Sequence, residues 1–239
     1  MNRTLEESLD KLKTRLIRMG SLVEEQVEFA MRALLEGNVG LAAIVIERDD
    51  KVDKLDLKID KQCQRIFALN QPVASDLRLL LAAIKINNEL ERIGDQAVET
   101  AVIATRSPRM VELCTMVDMK KLTSNVHRLF KTSIDAFINN DPDLAAHLIP
   151  ADTTIDTIRA EVQSRIIEVM KNDPSLVDDG AHLLICTHQI GRMADHATNI
   201  AENVIFLVRA KLVRHRSVGE EDTDFSDILK DDTADESND

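Results

Sequence analysis

Leu90-Glu91-Arg92-Ile93-Gly94-Asp95-Gln96-Ala97 recurs as Ile190-Gly191-Arg192-Met193-Ala194-Asp195-His196-Ala197, at an offset of 100 residues. Outward from this pair the correspondence continues. Leu41-Ala42-Ala43 returns as Leu144-Ala145-Ala146, and Asp49-x-x-Val52-Asp53 returns as Asp152-x-x-Ile155-Asp156, both at an offset of 103. A three-residue deletion reconciles the two offsets. Self-similarity of this kind marks a tandem duplication of one structural unit. The unit is helical: apolar residues recur at steps of three and four over Thr4 to Glu36, Val39 to Leu69 and Ser75 to Thr105. Gly37-Asn38, Asn70-Gln71-Pro72 and Ser107-Pro108 interrupt the pattern. The second half repeats the plan over Val111 to Ile138, Asp143 to Met170 and Leu176 to Arg216, with Asp141 and Asp173 as N-caps ahead of Pro142 and Pro174. The expected architecture is all-α, two tandem three-helix bundles with six long helices, 1–108 and 109–216, followed by a disordered acidic tail at 217–239.

Composition agrees with this reading. Seven glycines and five prolines occur in 239 residues, where average usage would give roughly 29 together. Tyr and Trp are absent. So little turn chemistry and β-type bulk excludes sandwiches, barrels and Rossmann-like folds. The net charge of −12 is uneven, because residues 217–239 hold ten acids and one lysine, leaving 32 acids against 29 bases upstream. A near-neutral body with no dominant basic stripe speaks against nucleic-acid binding. Cys63, Cys114 and Cys186 lack a C-x-x-C spacing and read as core thiols of a reduced, intracellular compartment. No apolar run approaches a membrane span and the start lacks a signal peptide, so a cytoplasmic protein is expected.

The candidate chemistry lies in carboxylates. On the third helix Leu77, Leu81, Ile84, Asn88, Glu91, Asp95 and Val98 keep the seam spacing of packed helices, with Glu99 one turn beyond Asp95. On the second helix Asp49, Asp53, Asp56 and Asp60 run beside an apolar stripe of Val45, Val52, Leu55, Ile59 and Ile66. Converging buried acids require cations, protons or a metal, and paired carboxylates suit Mg, Ca, Mn or Fe. The plain alternative is a solvated face in which Lys51, Lys54, Lys58 and Lys61 pair with the aspartates. In the second half the seam reads Val177, Ala181, Leu184, His188, Gly191, Asp195 and Thr198, with Asn199 in place of Glu99. Asp152 and Asp156 persist, Gly191 removes one carboxylate, and His188 is a possible replacement ligand or a packing residue. A weaker or differently composed second site is expected.

These motifs resemble the PhoU family over residues 1 to about 216. Pro72-x-Ala74-x-Asp76-Leu77-Arg78 with Leu90-Glu91-Arg92-Ile93-Gly94-Asp95 is similar to that family's third helix, and Ala194-Asp195-His196-Ala197-Thr198-Asn199-Ile200-Ala201-Glu202 to its sixth. The resemblance implies a six-helix fold and negative regulation of phosphate-starvation genes. It also implies two partners, the ATPase of the phosphate importer and a membrane sensor histidine kinase, with the protein peripheral to the membrane through them. The family's (E/D)-x-x-x-D pairs, which bind multinuclear metal clusters in some members, fall on Asp49 with Asp53, Glu91 with Asp95 and Asp152 with Asp156. Iron, or Mg, Mn or Zn in its place, is the implied cofactor, while Gly191 departs from the pattern opposite Asp195.

Two rivals are weighed. A metal-dependent enzyme could use the acids to activate water, yet Glu-x-x-His pairs, a P-loop and a G-x-S-x-G elbow are missing. A helical adaptor unrelated to phosphate would use the acids only to set register. The expectation is a non-enzymatic regulator that shifts its partners' conformations, and outer helix faces rich in Met and Leu suggest a homodimer.

Overall fold

In the computed structural model, which describes residues 3–213 and 223–224, eight α-helices account for most of the described residues. The first half is α1 (Arg3–Glu36), α2 (Val39–Asn70) and α3 (Ala74–Ala104). The second half is α4 (Met110–Met116), α5 (Met119–Asn139), α6 (Pro142–Leu148), α7 (Ala151–Asn172) and α8 (Val177–Arg209), with a 3-10 turn at Pro174–Leu176. Lys211–Leu212 pairs antiparallel with Thr223–Asp224. The tail expected to be disordered otherwise lies outside the described residues. Among those residues no helix is long and apolar enough to cross a membrane.

The all-α duplicated plan holds, but six long helices become eight because two of the second-half helices break. Asp118 adopts left-handed backbone (φ 57°, ψ 43°) between α4 and α5, a conformation whose cost Asp lowers with its short polar side chain. Pro150 separates α6 from α7, because its ring nitrogen cannot donate to the carbonyl one turn earlier and the ring crowds that carbonyl. The sixth helix also stops at Arg209 instead of Arg216, where Ala210 turns left-handed (φ 57°). The duplicated turns keep their chemistry. Gly37 and its equivalent Asn140, at φ 67 and φ 48, are both left-handed, a conformation that glycine and asparagine tolerate. Asn38 and its equivalent Asp141 then cap α2 and α6, accepting from the Leu41 and Leu144 amides at 3.1 and 2.9 Å.

One hydrophobic core runs through both halves, and its centre is the packing of α3 against α8. Asn199 donates to Glu89 (3.2 Å) and Gln189 donates to Glu99. These contacts are each other's repeat equivalents, so α3 and α8 cross antiparallel about a local pseudo-twofold. His196 adds a 2.6 Å contact from its Nδ1 to Glu89. Small residues also let α3 lie close to the other helices of the first bundle: a Cβ at Gly94 would meet Gln26 of α1 and Val52 of α2, each at 3.5 Å.

The expected seams are rotated by one residue. On α3 the buried line is Leu80, Ala83, Asn87, Leu90, Gly94, Ala97 and Ala101, while Asn88 and Asp95 are exposed. From Leu176 of the preceding turn it continues on α8 as Gly180, Leu183, Thr187, Ile190, Ala194 and Ala197, while Val177, Ala181 and His188 are exposed. A shift of one residue is roughly 100° around a helix. The acids therefore lie on the flank of the bundle, beside the core and not in it. The three cysteines are buried free thiols, and burial pushes Cys63 and Cys114 up to about 12 and Cys186 up as well. The methionines also turn inward: Met19, Met31, Met110, Met119 and Met193 are buried, and among the described methionines Met116 alone is strongly exposed. The Met-rich outer face expected of a dimer surface is not formed among the described residues.

Candidate functional site

α2 divides its charge by face. Its aspartates at 49, 53, 56 and 60 and its bases at 51, 54, 58, 61 and 65 each repeat at steps of three and four. At 3.6 residues per turn the two stripes point to nearly opposite sides of the helix. The aspartates face α3 and the bases face α1. The pairing of Lys51, Lys54, Lys58 and Lys61 with the aspartate stripe therefore does not form: among the described residues Lys54 alone of the four makes an ion pair, and it reaches Asp50 at 3.1 Å.

Where α2 meets α3 the acids converge. Asp49, Asp53, Asp56 and Asp60 stand opposite Glu91, Asp95 and Glu99, close enough for their charges to act on one another. Partial burial, then the neighbouring carboxylates, raise Asp49, Asp56, Glu91 and Asp95 above the ordinary carboxylate range. For Asp49 the strongest neighbours are Asp53 and Asp95; for Glu91 they are Asp95 and Asp56. Arg92 offsets part of the repulsion at Glu91 and Asp95. Two fully buried amides brace the ring from below. Asn87 donates to Asp56 Oδ1 at 2.6 Å and Asp60 Oδ1 at 3.3 Å, and Gln26 bonds both Asp49 and the Val45 carbonyl, the latter at 3.3 Å. Glu91, Asp95 and Glu99 also border a polar depression that continues to Gln189 and Arg192 of the second half.

The donor set is oxygen throughout, which suits a hard cation. Its members are mutually repulsive and only partly neutralised, which is the condition a cation would relieve. Among the described residues no three His, Cys, Asp or Glu side chains already converge on one point. Ligation would need the flexible carboxylates to swing inward from these positions.

The second half carries the same frame with different contents. Asp152, Asp156 and Asp195 hold the positions of Asp49, Asp53 and Asp95, but Arg159 replaces Asp56 and Gly191 replaces Glu91. These last two substitutions are one structural event. A Cβ at Gly191 would collide with the Arg159 guanidinium and come within 2.7 Å of its Cδ, so the arginine lies in the space that the glycine leaves. Arg159 also bonds Asp156 at 2.6 Å. Gln163 and Thr187, paired at 3.4 Å, replace Asp60 and Asn87, and Leu129 replaces Gln26. His188 is exposed and does not join the group. Where the first half gathers seven acids, the second keeps three at the equivalent positions and adds a cation, Arg159, paired with Asp156, and its residues do not fit a metal cluster.

Sequence reasoning misses Gln26, Asn87 and Arg159. Each is visible in the repeat once the offsets are carried along every helix: a glutamine at a core position opposite Leu129, an asparagine opposite Thr187, and an arginine opposite Asp56.

The comparisons with known proteins agree with the duplicated frame. The family model described as PhoU domain matches twice, at residues 16–104 and 119–204. The phosphate-specific transport system accessory protein PhoU homolog of Pseudomonas aeruginosa is 36% identical over 87% of this chain and 86% of its own length. The corresponding homolog of Aquifex aeolicus is 33% identical over 89% of this chain and 96% of its own. The crystal structure of PhoU from Pseudomonas aeruginosa superposes with a TM-score of 0.79 at 35% identity, covering 86% of this chain and 99% of that one. The phosphate transport system regulatory protein PhoU from Streptococcus pneumoniae, 24% identical, shares the fold with a TM-score of 0.77 over 88% and 99% of the two chains.

Proposed function

The chain belongs to the PhoU family, and from that premise we propose that it is the regulatory accessory protein of a phosphate import system. In this reading it binds the importer ATPase and a sensor histidine kinase, and lowers phosphate-starvation gene expression when phosphate is plentiful. The observation that carries the reading is the double domain match together with full-length relatives named for phosphate-specific transport. It acts in the cytoplasm by binding and by shifting its partners' conformational populations, as a regulator and not as an enzyme. The same reading includes a homodimer, which sedimentation mass that rises with concentration would support.

The first-half acids are the element through which a cation would act. Asp49, Asp53, Glu91 and Asp95 would hold it, with Asp56 and Glu99 beside them and Asn87 and Gln26 fixing Asp56 and Asp49 from below. When bound there, a divalent ion supplies the positive charge that this ring lacks and ties α2 to α3. The oxygen donors favour Mg or Mn, with iron admissible and zinc less suited.

Affinity capture of the chain from phosphate-replete and phosphate-starved cells, with solubilised membranes and mass spectrometry, tests the regulatory reading. Recovery of a phosphate-importer ATPase and a sensor kinase supports it. Absence of both under either condition, with unrelated partners recovered, would instead favour a helical adaptor.

A further inference from the structure

The bases turned away from the acid ring form a surface of their own. Lys11 and Arg15 of α1 face Lys58, Lys61 and Arg65 of α2 across a groove with no carboxylate in its lining. Lys58 also belongs to the adjoining stretch of the same groove, where Arg18, Arg48, Lys51 and Lys54 line the walls and Glu25 is the one acid. The two stretches thus make one cationic channel along the first bundle, and the expectation of a body without a basic stripe is corrected. Internal neutralisation is slight. Arg48 meets Glu25 at 2.5 Å and Lys54 meets Asp50 at 3.1 Å, while Lys11, Arg18, Lys51, Lys58, Lys61 and Arg65 form no ion pair among the described residues. At its open end, beside Thr4 and Asn70, the groove turns partly apolar through Ile66 and the largely exposed Leu69.

The chain contains a segment of the opposite composition. Residues 217–239 hold ten acids and one lysine, and within them Phe225, Ile228 and Leu229 stand beside six acids that run from Asp227 to Asp239. We propose that this C-terminal segment docks in the cationic groove between α1 and α2 of its own chain, with the acids from Asp231 to Asp239 along the lysines.

Reach permits this. From Asp224 the chain spans at most roughly 14 Å to Ile228 and roughly 50 Å to Asp239, so the acids beyond Ile228 have the length to run along α2, which at 32 residues measures about 48 Å. An attached segment also binds at a high effective concentration, so weak individual contacts suffice. The exposed lysines and the tail acids make this a long-range electrostatic contact, which added salt screens. Docking is then an intramolecular shield: any acidic surface or anionic ligand using the groove must first displace the tail. This inference rests on charge and reach alone, independently of the phosphate reading.

Zero-length carbodiimide cross-linking of the full chain, with equal amounts of 14N and 15N protein mixed beforehand, tests it. The expected result is cross-links from tail carboxylates to Lys11, Lys51, Lys58 and Lys61, within one isotopic species, reduced several-fold by high salt. In Lys58→Glu/Lys61→Glu/Arg65→Glu, all exposed positions, links to Lys11 and Lys51 should fall at least five-fold with helical circular dichroism unchanged. In Asp227→Asn/Asp231→Asn/Asp232→Asn the links counted are those from the remaining carboxylates Asp235, Glu236 and Asp239, and these should fall by the same factor. Links spread equally over Lys120, Lys121, Lys131 and Lys171 would overturn the proposal. So would links only between isotopic species, which place the tail on a second copy, or links indifferent to the substitutions. The absence of tail links while the full chain binds added polyphosphate or anionic vesicles through these lysines would assign the groove to another occupant.

Discussion

The two halves share a frame and differ in where the positive charge comes from. At the α2–α3 border seven carboxylates are braced by buried amides and offset by Arg92, with Arg192 at the rim, so part of their charge is left for something outside the chain. At the α7–α8 border three carboxylate positions remain, and Arg159 pairs with one of them, Asp156, while its guanidinium occupies the room freed by Gly191. Duplication has produced one half that is electrostatically open and one that is closed. A glycine that reads in the sequence as a lost ligand is, in the structure, the condition for an internal substitute.

The comparison breaks most visibly at the paired positions 91 and 191. Gly191→Leu should cost about 1–3 kcal/mol by overpacking against Arg159, a fall in Tm of roughly 2–4 °C per kcal/mol for a chain of this size. Glu91→Leu, at the equivalent position, should leave Tm unchanged or raise it, because it removes a half-buried carboxylate from a repulsive group. Thermal denaturation of the two variants in metal-free buffer gives the comparison directly, and equal destabilisation would remove the asymmetry.

Added Mn2+ is the next lever. Saturation at a hundredfold excess over the dissociation constant contributes about 2.7 kcal/mol, so Tm should rise in the unmodified protein and in Asp156→Asn/Asp195→Asn. The rise should vanish in Asp53→Asn/Asp95→Asn. A rise that survives the first-half change and not the second-half change would reverse the assignment.

The pH dependence sharpens the same point with a smaller effect. Asp49, Asp56, Glu91 and Asp95 have raised folded-state values, so just above the ordinary carboxylate range the native state binds more protons than the unfolded state. Stability from these groups therefore increases as pH falls from neutrality toward their folded values and is lost as pH rises through them. Metal-free protein should gain Tm on mild acidification, and Asp49→Asn/Glu91→Gln should flatten that gain. Saturating Mn2+ should reverse its sign, since protons then compete with the bound ion.

Gln26→Leu, which gives the first half the residue found in the second, is the subtlest change. Loss of the two hydrogen bonds to Asp49 and the Val45 carbonyl, partly offset by apolar burial, should alter stability by about 1 kcal/mol, and should weaken Mn2+ affinity several-fold by freeing Asp49. Isothermal titration distinguishes this from a silent substitution.

Much of this organisation is legible in the sequence. The duplication, the helix content, the cap at Asp141, and the meeting of Asp49 and Asp53 with Glu91 and Asp95 follow from repeat offsets and helical spacing. The breaks at Asp118 and Pro150 escape it, although Pro150 is a plain breaker, because its equivalent Glu47 lies inside an unbroken helix. The α3 and α8 seams are displaced by one residue because both helices are buried on two sides. Periodicity alone does not distinguish a core line from the flank beside it; the small residues Gly94, Ala97, Ala194 and Ala197 carry that information. The sorting of charge on α2 is written in its two interleaved stripes. It escapes a reading based on net charge, since the stripes cancel in the sum.

Crystals grown with MnCl2, with anomalous diffraction recorded at the manganese edge, put the asymmetry to the most direct test. Peaks between α2 and α3, within ligation distance of Asp49, Asp53, Glu91 or Asp95, together with none between α7 and α8, are the expected result. Peaks of equal height in both halves, or a peak beside Asp152, Asp156 and Asp195 with none in the first half, would contradict the division into an open and a self-neutralised site.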